Sequence, residues 1–169
     1  MTTTTTTDDI VDFLERSAAE WPRGNRFEDF AIGRRFRHHW GRTVTEADNT
    51  LFSTLTLAYN PVYTNAHLAR AEGLPGSPVN PLLVFNVVFG LSVEDLSEGG
   101  GPFLGVDDLE YLQPVQPGET LYAESEVIQA RLADKRPGYG IVQWHTVGRN
   151  AAGAPVIAFK RANLVRTRS

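Results

Sequence analysis

The chain has 169 residues, 41% of them hydrophobic and 10% aromatic, which is enough for one domain with a proper core. Its formal net charge of -4 excludes the global basic surface that holds nucleic acid by counterion release, so no nucleic-acid partner is expected. With no cysteine, a disulfide framework and a thiolate metal site are both excluded, and His38, His39, His67 and His145 are not spaced with carboxylates as a zinc set.

The threonine run at 2–7 is expected to be a disordered tail, followed by a single domain over 8–169. Asp8 or Asp9 can cap a helix whose Ile10, Val11, Phe13 and Leu14 share a face, ended at Trp21-Pro22 as an appendage to the domain. This N-terminal stretch has no basic start followed by an apolar run, and no stretch of the chain approaches 18 apolar residues. The expectation is a cytoplasmic protein without a membrane partner. A turn at Ile32-Gly33 leads into a β-rich stretch over 34–43, and Thr45 is placed to cap a helix with Leu51, Phe52, Leu55 and Ala58 at helical spacing.

Next comes a neutral polar cluster, "AYNPVYTN" at 58–65, then a short helix over 66–72 ended by Gly73 and a turn-rich loop, "LPGSPVN". "PLLVFNVVFGLSVEDL" at 81–96 opens with proline in its first turn and is apolar on nearly every face, so protein must wrap it. The remainder reads as four antiparallel strands, "GVDDLEYLQPV", "ETLYAESEVIQARLA", "YGIVQWHTVGRN" and "PVIAFKRANLVRTR". In the second of these, Leu121, Ala123, Ser125 and Val127 alternate with Tyr122, Glu124, Glu126 and Ile128. A hydrophobic helix followed by such a meander predicts an α+β domain in which a curled antiparallel sheet wraps the helix, the hot-dog architecture. One such sheet leaves edges exposed, and a homodimer that joins sheets would cover them.

The segments "FEDFAIGRRF", "GRTVTEADNTLFSTLT", "YNPVYTNAHLARAEGLPGSPVN" and "VQPGETLYAESEV" resemble the MaoC-like dehydratases, also called R-specific enoyl-CoA hydratases. Within that family, "GRTVTEADNTLFSTLT" and "LYAESEV" are most similar to the mesaconyl-CoA hydratase branch. The resemblance implies a lyase-like enzyme that adds or eliminates across the α,β-carbons of an acyl thioester, without a cofactor. The thioester carrier would be coenzyme A or an acyl carrier protein. In the family an aspartate and a histidine flank an Asn-Pro pair and activate water. Here Asn60, Pro61 and Val62 match, but Ala58 stands at the aspartate position and Tyr63 at the histidine position. The family's backbone oxyanion donor falls on Pro81, which has no N–H, preceded by Asn80.

Tyr63, as a hydrogen-bond donor or general acid, and Asn60, as its orienting partner, are therefore the candidate catalytic residues. Tyr59, Asn65, Asn80 and His67 are the candidate substrate-binding residues. Each also has a structural reading: Asn60 suits a turn, and Tyr63 can place its hydroxyl on a backbone group. In the strand over 34–43, one of His38 and His39 is expected to pack and the other to face solvent. Arg34, Arg35, Arg37, Lys135, Arg136, Arg161, Arg166 and Arg168 include candidate phosphate contacts for the carrier.

Without the acid/base pair, a pocket can still orient conjugate addition of a neutral amine or an intramolecular cyclisation, because neither nucleophile needs a base as water does. The competing readings are a hot-dog thioesterase, for which Glu46 and Asp48 are the nearest carboxylates, and a non-catalytic acyl-binding or partner subunit.

Overall fold

A computed structural model describes residues 6–20 and 24–168; most of the expected tail and the helix stop at Trp21-Pro22 lie outside the described residues. Helix α1 (Thr7–Glu20) is capped by Thr6, ahead of the expected aspartates. The Asp9 amide donates to Thr6 Oγ1 at 3.2 Å and the Thr6 amide donates to the Asp9 carboxylate at 2.9 Å, the reciprocal bonding of a capping box. Ile10, Val11, Phe13 and Leu14 of α1 are exposed. Among the described residues no helix is long and apolar enough to cross a membrane.

The expected β-stretch over 34–43 is two short strands, β1 (Arg35–Arg37) and β2 (Arg42–Thr43), both paired to one long strand. Helix α2 (Glu46–Leu55) has the expected cap at Thr45, where the hydroxyl accepts from the Asp48 amide and the Asp48 carboxylate accepts from the Thr45 amide. Apolar spacing marked its inward face only in part, through Phe52, which packs against the core. Leu51 and Leu55 are 60% and 72% exposed, whereas Asn49 and Ser53, at 1% and 0%, are the buried residues. A 3₁₀ turn at Pro61–Tyr63 leads to α3 (Ala66–Ala71), which ends where Gly73 adopts φ +84°, a left-handed conformation open to glycine at little cost.

The hydrophobic helix is divided into α4 (Pro81–Leu91) and α5 (Val93–Ser97), with Ser92 between them. Strands β3 (Phe103–Tyr111), β4 (Thr120–Leu132), β5 (Tyr139–Asn150) and β6 (Pro155–Arg166) complete one antiparallel sheet in the order β1-β4-β5-β6-β3, with β2 also on β4. Period-two alternation holds in β4, where Leu121, Ala123, Ser125 and Val127 are buried on the helix side. A bulge between Val127 and Gln129 interrupts its pairing to β5 and bends the strand.

Leu83, Val84, Val87 and Val88 of α4 pack on Leu121, Ala123, Ile157 and Phe159 of the sheet. Burial of each such side chain contributes about 1.5–3 kcal/mol. Gly148 on β5 permits the close approach, since a Cβ there would stand 2.6 Å from both Val88 and Ile157 methyl carbons. A second cluster joins Leu96 of α5 to Phe30, Phe36, Val127 and Trp144. This is the hot-dog domain, an α+β fold with one curled sheet around one helix. β3 is an edge of that sheet, and its Phe103, Leu104, Leu109 and Tyr111 are exposed.

Candidate functional site

Two polar side chains on the inward face of α2 organise the region around the motif. Asn49 donates through Nδ2 to the Tyr63 carbonyl at 2.9 Å and to the Pro78 carbonyl at 3.0 Å, while its Oδ1 accepts from the Asn80 amide at 2.7 Å. One buried amide thereby ties the 3₁₀ turn that carries Tyr63 to the loop that starts α4. Ser53, one turn later, accepts from Asn80 Nδ2 at 3.3 Å. Sequence reasoning missed Asn49 and Ser53; their four-residue spacing is the signal, but beside Leu51 and Leu55 it reads as the solvent face.

Tyr63 is partly buried and lines a cavity of about 270 Å³ with Val79, Pro81, Val84, Tyr111 and Val115 among its other walls. Tyr111, at the end of β3, is brought there only by the curl of the sheet. Burial and, secondarily, the neighbouring Tyr63 raise its pKa above the usual 10.0, so its hydroxyl keeps its proton at neutral pH. None of the residues lining this cavity carries a carboxylate, an imidazole or a cationic group.

The start of α4 offers no replacement for the family's backbone donor. Pro81 has no N–H, the Leu82 amide donates to Asn80 Oδ1 at 3.0 Å, and the Leu83 and Val84 amides both donate to the Asn80 carbonyl. Asn80 is thus buried and occupied as the cap of α4 and as a donor to Ser53. Asn60 accepts from the Val62 amide at 3.2 Å as the cap of the 3₁₀ turn, and Asn65 accepts from the His67 and Leu68 amides as the cap of α3. Tyr59 and His67 are exposed. Of the six candidates, Tyr63 alone lines the cavity, and Asn80 abuts it between Val79 and Pro81.

Other charged groups are held elsewhere. Asp48 closes the α2 capping box and pairs with Arg42 at 2.9 Å, and Glu46 is exposed. A larger recess of about 490 Å³ lies on the sheet face away from α4, walled by the ion pairs Arg35–Glu126 and Arg149–Glu124, and contains no motif residue. The candidate phosphate contacts do not line the Tyr63 cavity: Arg35 and Arg37 line the recess on the other sheet face, Arg166 and Arg168 line another recess with Arg26 and Tyr139, Arg161 is in the core, and Arg136 lies over the Tyr139 ring.

Between the two hydrophobic clusters runs a buried polar belt. His38 packs inside, with Nδ1 2.6 Å from Asp95 Oδ2 and Nε2 2.9 Å from Ser125 Oγ, which meets Thr146 Oγ1 at 2.9 Å; His39 faces solvent. Burial lowers the His38 pKa below 6.5 despite the opposing pull of Asp95. Arg161, fully buried, donates to Ser92 Oγ at 2.8 Å, Ser97 Oγ at 2.7 Å and Asn163 Oδ1 at 3.3 Å, with its guanidinium 4.3 Å from the Phe89 ring centre. Desolvation lowers its pKa to about 10, which still leaves it a cation at neutral pH.

The chain matches the family described as mesaconyl-CoA hydratase over residues 3–169. It is 37% identical to the mesaconyl-CoA hydratase of Haloarcula hispanica over 147 residues, 86% of this chain and 41% of that protein. It is 36% identical to the beta-methylmalyl-CoA dehydratase of Chloroflexus aurantiacus over 145 residues, again 86% and 41%. A crystal structure reported as a MaoC domain dehydratase from the same organism superposes with a TM-score of 0.83 at 34% identity, covering 89% of this chain and 42% of that one. The chain therefore spans about two fifths of the length of the curated relatives it matches. With the motif segment, the sheet order and these similarities in agreement, the chain belongs to the mesaconyl-CoA hydratase family of MaoC-like proteins.

Proposed function

We propose that this chain is a lyase-type enzyme that binds an acyl-CoA thioester in the cavity beside Tyr63 and catalyses addition or elimination across its α,β-carbons. The relatives' named activities, hydration and dehydration of CoA thioesters, support the reaction class. One observation carries the finer reading: the cavity at the motif position is walled by two phenols, the Gln113 amide and hydrophobic side chains, with no carboxylate or imidazole to deprotonate water. The nucleophile then brings its own basicity. A neutral amine attacks the β-carbon, electrons shift to the thioester oxygen, and the Tyr63 hydroxyl donates a hydrogen bond to the developing enolate. The Tyr63 proton passes to the α-carbon, and the phenolate recovers a proton from the ammonium formed. An intramolecular nucleophile closing a ring obeys the same balance.

Incubating the protein with crotonyl-CoA, alone and with small primary amines, tests this by mass spectrometry. The expected product is an amine adduct at a rate that exceeds the uncatalysed one and falls in Tyr63→Phe. Efficient gain of one water without amine would refute the altered nucleophile, and no product with any nucleophile would refute the enzyme.

The exposed edge of β3, with Phe103, Leu104 and Leu109, supports a homodimer joined through this strand. A second reading, an acyl-binding subunit for a catalytic partner, is favoured by the same missing acid and base. Under it Tyr63→Phe leaves the activity of the assembled pair unchanged.

A further inference from the structure

We propose that a CoA thioester bound by this protein is shared between two copies of the chain: its acyl end lies in the cavity beside Tyr63 of one protomer, and its phosphates lie in an arginine-lined recess of the other. The inference rests on the acyl-site and homodimer readings above and adds the place of the carrier to them.

The recess, about 620 Å³, lies at the start of β5 and the end of β6, walled by Arg26, Gly138, Tyr139, Arg166, Thr167 and Arg168. Three guanidinium groups and no carboxylate line it, in a chain whose net charge is -4. On the sheet face away from α4, by contrast, Glu124 and Glu126 answer the arginines. Arg136 adds a cation beside the recess, 4.7 Å from the centre of the Tyr139 ring. Arg168 pairs with Asp29 at 2.6 Å and Arg26 Nη1 donates to the Gly99 carbonyl at 3.3 Å, contacts that orient both side chains and leave further N–H donors. Arg166 is exposed, and among the described residues its guanidinium has no partner. Such a cluster suits phosphate, which guanidinium groups bind bidentately.

Distance separates the recess from the cavity of its own protomer. Tyr111, in the cavity wall, pairs with Ile157, and Arg166 ends β6 nine residues later, roughly 30 Å along the strand. A pantetheine arm does not span that length. Joining two β3 edges about a two-fold axis changes the geometry, because it brings the apolar start of one strand, Phe103 and Leu104, beside the apolar end of the other, Tyr111 and Leu112. The acidic middle of the strand is already engaged, Asp108 with Lys160 at 2.6 Å and Asp107 with Gln143 at 3.4 Å. Phe103 pairs with Asn163, so Arg166 lies three residues past the point where the other copy's cavity begins. That places it about 10 Å along the strands and about 10 Å, two strand spacings, across from that cavity. The cavity is open on this side, where Tyr111 and Leu112 are 42% and 46% exposed, and a pantetheine arm leaving there reaches the arginines of the other copy.

Isothermal titration of the whole chain with butyryl-CoA, and with S-butyrylpantetheine, which lacks the phosphates, tests the recess. Arg166→Glu is expected to weaken butyryl-CoA at least tenfold, and the milder Arg166→Gln less, with S-butyrylpantetheine and the melting temperature unchanged. Full butyryl-CoA affinity in both variants overturns the recess. Leu104→Asp, a surface change on the β3 edge, loosens the dimer so that sedimentation reads its dissociation constant. Butyryl-CoA is expected to lower that constant at least tenfold relative to S-butyrylpantetheine, because a ligand held by two copies tightens them. Equal dimerisation with both ligands, or a parent chain that stays monomeric with butyryl-CoA bound, overturns the sharing. If neither thioester binds, the acyl-site reading fails as well, and the proposal with it.

Discussion

The two ends of α4 treat polar chemistry in opposite ways. At the C-terminal end the chain buries an arginine and a histidine, and gives each a set of hydrogen-bond partners within the core. At the N-terminal end, where the family motif falls, the cavity has only neutral side chains, among them the phenols of Tyr63 and Tyr111 and the amide of Gln113. His38 and Arg161 are thus bound into the architecture, and the cavity is lined without an acid or a base. Possession of a histidine 2.6 Å from a carboxylate and 2.9 Å from a serine says little about catalysis when that serine is also buried.

Substitutions at four positions test this division, from the largest expected effect to the smallest. Arg161→Ala should lose about 4 kcal/mol of stability in urea denaturation, because it opens a cavity and strands Ser92, Ser97 and Asn163. Arg161→Met, which refills the volume, should lose distinctly less. Tyr63→Phe should lower kcat/KM for the amine addition about a hundredfold, close to 3 kcal/mol of activation free energy, with no change in melting temperature. His38→Ala should cost about 2 kcal/mol of stability and leave the turnover of the Tyr63 site intact, as read by denaturation and kinetics on one preparation. At the small end, Thr45→Ala removes the α2 cap and should cost about 1 kcal/mol.

His38 also sets a pH signature that separates the two ends. Its folded pKa lies below the unfolded value of 6.5, so the unfolded chain binds more protons as the solution is acidified. The stability it contributes is whole above pH 6.5 and is lost progressively as pH falls below that value. Denaturation curves measured down through this range should show the loss in the parent chain, and His38→Ala should flatten it. A loss of equal slope in the variant would assign the effect elsewhere.

Much of this was legible in the sequence. Period-two alternation located β4, β5 and β6 nearly to the residue, since each side chain in an antiparallel strand meets either core or solvent. Thr45 and Asp48 announced a helix start because a capping box is satisfied within four residues. The position of Tyr63 in the motif likewise pointed to the cavity. α2 shows the limit: the spacing of Leu51, Phe52, Leu55 and Ala58 marked a face, yet the loops before Tyr63 and Asn80 needed amide and hydroxyl partners, and these turned Asn49 and Ser53 inward.

Local rules therefore determined the strands, caps and turns, whose partners are near in sequence. Only the tertiary structure decided that Tyr111, 48 residues after Tyr63, shares its cavity and that Arg161 on a regular strand is wholly buried. Each of these depends on the sheet curling around one helix, and that curl brings together side chains that no periodicity connects.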